Sequence, residues 1–524
     1  MATVTAQPLE SPRMFGGDPV RRQLRGSSLL LLGRFLSRGI NFFSQLLIVH
    51  TLTTQSFGAF AYGLAVVAFW DGLSSFGLNK SITRFVPIYH ERGDHARVRG
   101  AILLVLAGIA CTSLIAIATV YLAPGLLSRM VRERGPLDLL LILIFLVPVD
   151  ALDEFLLGLF ACFARPKAIF FRKHVLAPSL KLGVVVLLVL LHADAHFLAR
   201  GYVTASIVGV SIYSLLFLRL FRRQGLLGAR GDGVSIPARE MFAFTLPLLS
   251  TNLVPMVMHS IATLILGYYH QSTEVAMYRV VLPAAQLNNI VVASFGILFT
   301  PIAARLFARG DREGMRALYW RSTVWMAVLS FPVFALTFSC ARGLTTTLYG
   351  DRYASSWPIL QMVSGAYYFS AALGNNDLPL RVVGKLRYIV TINVLAILAS
   401  IVLTFALVPR FGAMGTGIAT AGALLLHNVL KQWGLRAAGI GFFEWRYLPV
   451  YIVIVIGALG LFLAQLVIDN FFILLPAAAL VSFLVLAFTK HELAIKDTFP
   501  ELLKLPIVGA FLRAENPVQP WRSR

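Results

Sequence analysis

Apolar runs of roughly 20 residues, each long enough to cross a bilayer core, recur along the whole chain. They fall at 28–50, 57–78, 98–122, 137–163, 168–191, 198–221, 241–268, 276–300, 316–341, 356–377, 387–408, 413–435, 447–468 and 471–489. Polar and basic segments separate them. The pattern predicts about fourteen membrane-spanning helices. Two runs are weaker: the fifth holds Pro178 and Lys181, and the tenth mixes Trp357, Tyr367 and Tyr368 with Asn375–Asp377. The first run lacks a small-residue cleavage site and reads as a retained helix, not a signal peptide.

Inside the first run, Arg34, Arg38, Asn41 and Gln45 have i, i+4, i+7, i+11 spacing, which places them on one helix face. An arginine within a spanning helix costs roughly 2.5–3.5 kcal/mol on insertion scales. Such a stripe is expected to face a wet cavity or an anionic partner rather than lipid. The seventh run carries a less charged stripe, Thr245, Asn252, Met256, His259 and Thr263. Together they suggest two walls of one central cavity, with Arg34 and Arg38 holding an anion and Asn41, Gln45, Asn252 and His259 forming a polar wall. Lys181 and Arg279 add positive charge within spans. Asp150, Asp153 and Glu154 share one face of the fourth run, and Asp71 lies in the second. Unpaired acids are costly there, so they are expected either to pair with Arg38 or Lys181 or to take up Na⁺ or H⁺.

Composition agrees with the pattern. Of 524 residues, 58% are hydrophobic and 13% charged, against about 25% charged in a soluble domain. The net charge of +22 is mostly topology. Loops on one side carry only Arg129, Arg132, Arg134, Arg200, Arg342, Arg352 and Arg410; the other side holds about five times as many basic residues, which predicts cytoplasmic termini. No nucleic-acid partner is called for, while anionic lipid headgroups suit the basic loops. Cys111, Cys162 and Cys340 have no ligand spacing and read as small buried hydrophobes. Gly415-Thr-Gly417 lacks the lysine of a phosphate loop and comes after no strand. No metal cluster, catalytic motif or cofactor is indicated beyond the coupling ion.

The halves echo each other. Phe85-Val-Pro-Ile88 recurs as Phe299-Thr-Pro-Ile302, Arg92-Gly-Asp94 as Arg309-Gly-Asp311, and Gly201-Tyr-Val-Thr-Ala205 as Gly417-Ile-Ala-Thr-Ala421. A repeat of six spans keeps orientation, so the halves are parallel repeats, with a substrate site expected between them. The all-α architecture expected is an N-terminal segment (1–27), a first six-helix lobe (28–221), a glycine-rich linker (222–240), a second lobe (241–436), two further helices (437–490) and an interfacial tail (491–524).

The chain resembles the polysaccharide transporter branch of the multidrug/oligosaccharidyl-lipid/polysaccharide exporter superfamily. The resemblance rests on Phe57-Gly58 after Thr53-Thr-Gln55, Gly77-Leu-Asn-Lys-Ser-Ile-Thr-Arg84, Pro301 with Arg305, Leu348-Tyr-Gly-Asp-Arg-Tyr353 and Pro409-Arg-Phe-Gly-Ala-Met-Gly415. It implies a multi-pass flippase of the bacterial inner membrane that moves polyprenyl-pyrophosphate-linked oligosaccharide by alternating access, alongside glycosyltransferases and a glycan polymerase. It also implies that cavity cations hold the pyrophosphate, a role that would fall to Arg34, Arg38, Lys181 and Arg279. Many relatives carry an acid just before the glycine matching Gly77, where this chain has Ser75-Phe76 and keeps Asp71 further back. The competing readings are an organic-cation antiporter of the same superfamily, which needs an acidic cavity, a lipid II flippase, and a membrane glycan polymerase, which needs larger outer loops.

Overall fold

The computed structural model describes residues 19–74, 78–122, 125, 133–163, 166–223, 233–256, 260–468 and 470–493. Among these the chain is helical and contains no strand. Every expected span falls largely on helix. We label them α1 (Pro19–Thr51), α2 (Thr54–Ser74, then Leu78–Glu91), α3 (His95–Leu122), α4 (Arg134–Leu143, then Leu146–Cys162) and α5 (Pro166–Ile169, Phe170–Leu176, Ala177–Leu190). Next come α6 (Ala195–Arg223), α7 (Ala238–Met256, then Ala262–Tyr269), α8 (Ser272–Gln286, then Asn289–Ala308), α9 (Arg312–Phe334, then Ala335–Ser339) and α10 (Trp357–Ala372). Helices α11 (386–411) and α12 (413–437) are continuous except at Gly412, and α13 (Leu448–Val467) and α14 (Phe471–Leu493) close the described chain. The tail expected at the interface lies outside the described residues.

Several spans are broken, and the breaks have local causes. In α8, Pro283 removes a backbone donor, and the two pieces meet at 46° across Leu287–Asn288. Asn288 holds that bend: its amide donates to Ala285 O at 3.0 Å, Ser364 Oγ at 3.0 Å and Thr337 Oγ1 at 3.2 Å. Gly412 separates α11 from α12 at φ 54° and ψ −131°, a conformation open to glycine. The space beside it is taken by the Glu274 carboxylate, which accepts from Ala413 N at 2.7 Å and so caps α12.

Helices α1–α6 form one lobe and α7–α12 the other, with α13 and α14 packed on α9. The odd-numbered spans begin at the basic end of the bundle. At the opposite end both lobes share one apolar core, in which Val49, Phe60 and Leu198 meet Val281, Tyr349 and Leu360. Toward the basic end the cores separate, one around Tyr89, Phe160 and Tyr213 and another around Tyr319 and Trp320. Cys340 is buried as expected, but Cys111 is exposed, on the lipid-facing side of α3. The described part of the expected linker is docked: Ser235 N donates to Ala96 O at 3.3 Å, and Gly100 leaves room for the Ser235 carbonyl.

The opposite end is closed by contacts between lobes. Arg352 donates to the carbonyls of Val49 and, at 3.0 Å, Leu52, which are orphan acceptors at the α1 C-terminus. His50 Nε2 donates to Leu348 O at 2.9 Å, and Glu133 accepts from the Ser272 amide at the start of α8. Phe57 and Tyr353 meet edge to face. Gly58 lies so close to α8 that a Cβ there would stand 1.8 Å from Ser272 O. Gly58→Ala should therefore wedge the lobes apart, at a cost on the order of 1–3 kcal/mol. A thermal melt in detergent reads this as a lower unfolding temperature; an unchanged melt would show that α2 and α8 do not meet this closely.

Candidate functional site: a cationic cavity between the lobes

The face of α1 that carries the polar stripe looks into a cleft between the lobes. One compartment, of about 460 Å³, is lined by Arg38, Asn41 and Gln45 of α1, by Pro283, Gln286 and Asn289 of α8, and by Tyr367 of α10. A deeper compartment, of about 340 Å³, shares Asn41, Gln45, Pro283 and Gln286 and adds Lys181 of α5, Tyr202 of α6 and Arg279 of α8. These volumes lie in the range of small-molecule sites. The mouth lies between Arg34, Phe35 and Arg38 on α1 and Ile290, Ala293 and Ser294 on α8. It exists because α8 bends at Asn288 while α1 continues past it. Leu32, Phe35, Leu36 and Phe43 are exposed along this half of α1, so the mouth is flanked by surface that suits lipid chains.

Cations from both lobes thus reach one space. Arg38 stands beside Arg34. Lys181 Nζ lies 5.5 Å from the Tyr202 ring centroid, within cation–π range. Among the described residues, no carboxylate lines either compartment, and none lies at ion-pair distance from Arg38, Lys181 or Arg279. Gln45 Nε2 donates to Val280 O at 3.3 Å and crosses from one lobe to the other.

The acids lie behind this wall, inside the first lobe. Asp153 pairs with Arg172 of α5 at 2.9 Å, not with Arg38 or Lys181. Asp150 faces the charges of both Lys181 and Arg172, and Asp71 lies near Asp150 and Glu154. Arg172 itself is 3% exposed. It occupies the π-helical turn Phe170–Leu176, a distortion that periodicity does not reveal. Arg172-Lys173 falls near the start of the fifth apolar run, just after Arg165-Pro-Lys167, where basic side chains are expected to reach outward, and this hides an inward-facing guanidinium.

The seventh-span stripe is placed differently from expectation. Thr245 and Thr263 are buried. Thr245 bonds Ser81 of α2, and Met256 packs on Gly72. Helix α7 therefore seals against α2, and the second lobe's cavity wall comes from α8. The side chain of Asn252 and the whole of His259 lie outside the described residues. Tyr202, Gln286, Asn289 and Tyr367 line the cavity without having been picked out by spacing; Pro283 with Asn288-Asn289 after it is the one sequence signal for that wall.

Solved structures of other proteins share this fold. The chain superposes on the lipid II flippase MurJ in an inward closed conformation with a TM-score of 0.67 at 13% identity, covering 88% of this chain and 99% of that one. An inward-facing multidrug resistance MATE family transporter matches with a TM-score of 0.60 at 12% identity over 76% of this chain and 94% of that one. This is a multi-pass membrane protein with the fold of multidrug/oligosaccharidyl-lipid/polysaccharide exporter superfamily transporters. Residues 23–307 match the polysaccharide biosynthesis protein family, and the chain belongs to it. An uncharacterized membrane protein of Methanocaldococcus jannaschii, MJ1068, is 20% identical over 438 residues, 79% of this chain and 84% of that protein.

The Arg172–Asp153 pair yields a prediction. Removing one partner of a buried pair costs about 3–5 kcal/mol, while replacing both with apolar residues is often near neutral. Arg172→Leu should lower thermal stability strongly, and Arg172→Leu with Asp153→Leu should recover most of the loss. A double-mutant cycle measured by thermal melts that showed additive losses would exclude the pairing.

Proposed function

We propose that this protein is a flippase for an anionic, polyprenyl-pyrophosphate-linked oligosaccharide, working by alternating access. The carrying observation is that Arg38, Lys181 and Arg279 line one cavity from both lobes without a lining carboxylate among the described residues. Cations facing such a site favour an anion, and guanidinium groups suit the paired oxygens of a pyrophosphate. Asn41, Gln45, Gln286 and Asn289 offer donors and acceptors to sugar hydroxyls. The mouth between α1 and α8 lets the polyprenyl chain stay in lipid while the head group enters. Movement of the head group is the step that needs the protein, because a bare charge does not cross hydrocarbon.

The positive-inside pattern of the basic loops supports a mouth on the cytoplasmic side of the cytoplasmic membrane, with both ends of the described chain on that side. Glycosyltransferases would supply the substrate there, and a polymerase would use it on the far side. The acids Asp71, Asp150, Asp153 and Glu154 are the groups suited to coupling a proton or Na⁺. A cation antiporter reading is disfavoured, because its cargo would meet positive charge in the cavity. A lipid II flippase would use the same pyrophosphate chemistry.

Arg38→Ala should abolish surface glycan in a strain relying on this gene, with membrane insertion unchanged, and Arg38→Lys should keep part of it, since charge survives but the planar fork does not. Normal glycan with Arg38→Ala would sink the assignment. Proteoliposomes offered a polyprenyl-pyrophosphate oligosaccharide and lipid II in parallel separate the two pyrophosphate readings.

A further inference from the structure

The cationic half of α1 touches its own lobe along a narrow strip. Leu32, Arg34, Phe35, Leu36, Arg38 and Gly39 are exposed, whereas Gly33 is buried and Ser37 half-buried. Both contact one residue, His174, on the π-helical turn of α5. Ser37 Oγ lies 3.0 Å from His174 Nδ1 and is also within 3.3 Å of the Arg34 carbonyl. At Gly33 a Cβ would stand 2.5–2.8 Å from three carbons of His174, so the glycine lets the imidazole ring press directly on the helix backbone. The turn that presents His174 is itself fixed from behind. Arg172, two residues earlier, pairs with Asp153 on α4, and Gly209 on α6 leaves room for its guanidinium. His174 is 5% exposed. A π turn is rare within α-helices and is frequently found at functional sites.

We infer that His174 is a positioning residue, which sets the distance of the cationic half of α1 from α8 and so places Arg34 and Arg38 at the mouth of the cavity. The inference rests on the flippase reading for its purpose, though not for its geometry. His174 touches no cavity compartment; it acts through Ser37 and Gly33, one helical turn apart on the flank of the stripe. The same π turn links α1 to Asp153 on α4, so a change at the acids has a mechanical route to the anion-binding face.

The test uses the full-length protein with Cys111, Cys162 and Cys340 replaced by serine and spin labels at Leu32→Cys and Ile302→Cys, two exposed positions on α1 and α8. Electron–electron distance distributions are measured in nanodiscs. His174→Ala and Gly33→Ala should each shift or broaden the α1–α8 distance, and His174→Asn, which keeps a polar atom near Nδ1, should restore it. Adding His174→Ala to Gly33→Ala should give less than the sum of the two shifts, because the clash partner is gone. In proteoliposomes, His174→Ala should weaken the apparent affinity for polyprenyl pyrophosphate about tenfold with little change in maximal rate, as expected when a charge-assisted contact is misplaced rather than lost with the fold. A distance distribution in His174→Ala that overlays the unsubstituted one overturns the inference, as does a His174→Asn variant that behaves like His174→Ala. The distance readout needs no substrate, so its failure is distinct from failure of the flippase reading.

Discussion

The cost of holding a charge in a low-dielectric bundle organises this protein. A guanidinium or ammonium away from water must find an acid, a set of backbone acceptors or a wet space. Each solution is present. Arg172 takes an acid, Asp153, deep in the first lobe. Arg352 takes the orphan carbonyls of Val49 and Leu52 at the end of α1. Arg38, Lys181 and Arg279 take the cavity. The first two are structural and hold helices together. The third leaves positive charge facing open space, which is the observation behind the proposed function.

The same physics bears on movement between states. At the closed end, the lobes are joined by an apolar core, by a helix-end cap from Arg352 and by hydrogen bonds from His50 and to Glu133. A net hydrogen bond contributes about 1 kcal/mol, so the polar part of this closure is modest and can be exchanged for water when the end opens. At the basic end the cores are separate, and Tyr89 reaches Glu240 at 2.8 Å as one of the polar ties across the α2–α7 seam. The apolar core shared by the lobes is therefore the larger part of what holds the closed end. The seam of α2 with α7 is tighter, since Gly72 admits Met256 and Ser81 bonds Thr245. That leaves the α1–α8 side as the flank on which the mouth forms.

Much of the fold could be read from sequence because hydrophobic length is a direct physical requirement of a bilayer. The stripe on α1 was legible for a related reason: four polar residues at helical spacing in an apolar run have one economical explanation, and all four face the cleft mouth or its compartments. Lys181 and Arg279 were legible as charges within spans, although spacing alone does not say that they meet. On the seventh span, Thr245, Met256 and Thr263 have the same period as a cavity stripe yet serve as packing, while the side chain of Asn252 and the whole of His259 lie outside the described residues. A polar helix face can point to a neighbouring helix as easily as to water, and only the tertiary arrangement decides. The bend at Asn288 and the π turn at Phe170–Leu176 stayed hidden, because both break the 3.6-residue period by which helix faces are recognised.

The partner of the acids was hidden by the same π turn. Asp150, Asp153 and Glu154 invited pairing with Arg38 or Lys181, the cations visible inside spans. Arg172 escaped notice because it lies in a basic cluster near a helix end, where lysines and arginines usually reach outward to headgroups. The π turn rotates it inward instead. Paired to Arg172, Asp153 does not pair with Arg38. Asp150 faces both Lys181 and Arg172. The acid group and the cationic wall are therefore two sides of one partition, joined through α5, which carries Arg172 toward Asp153 and Lys181 toward both Asp150 and the cavity.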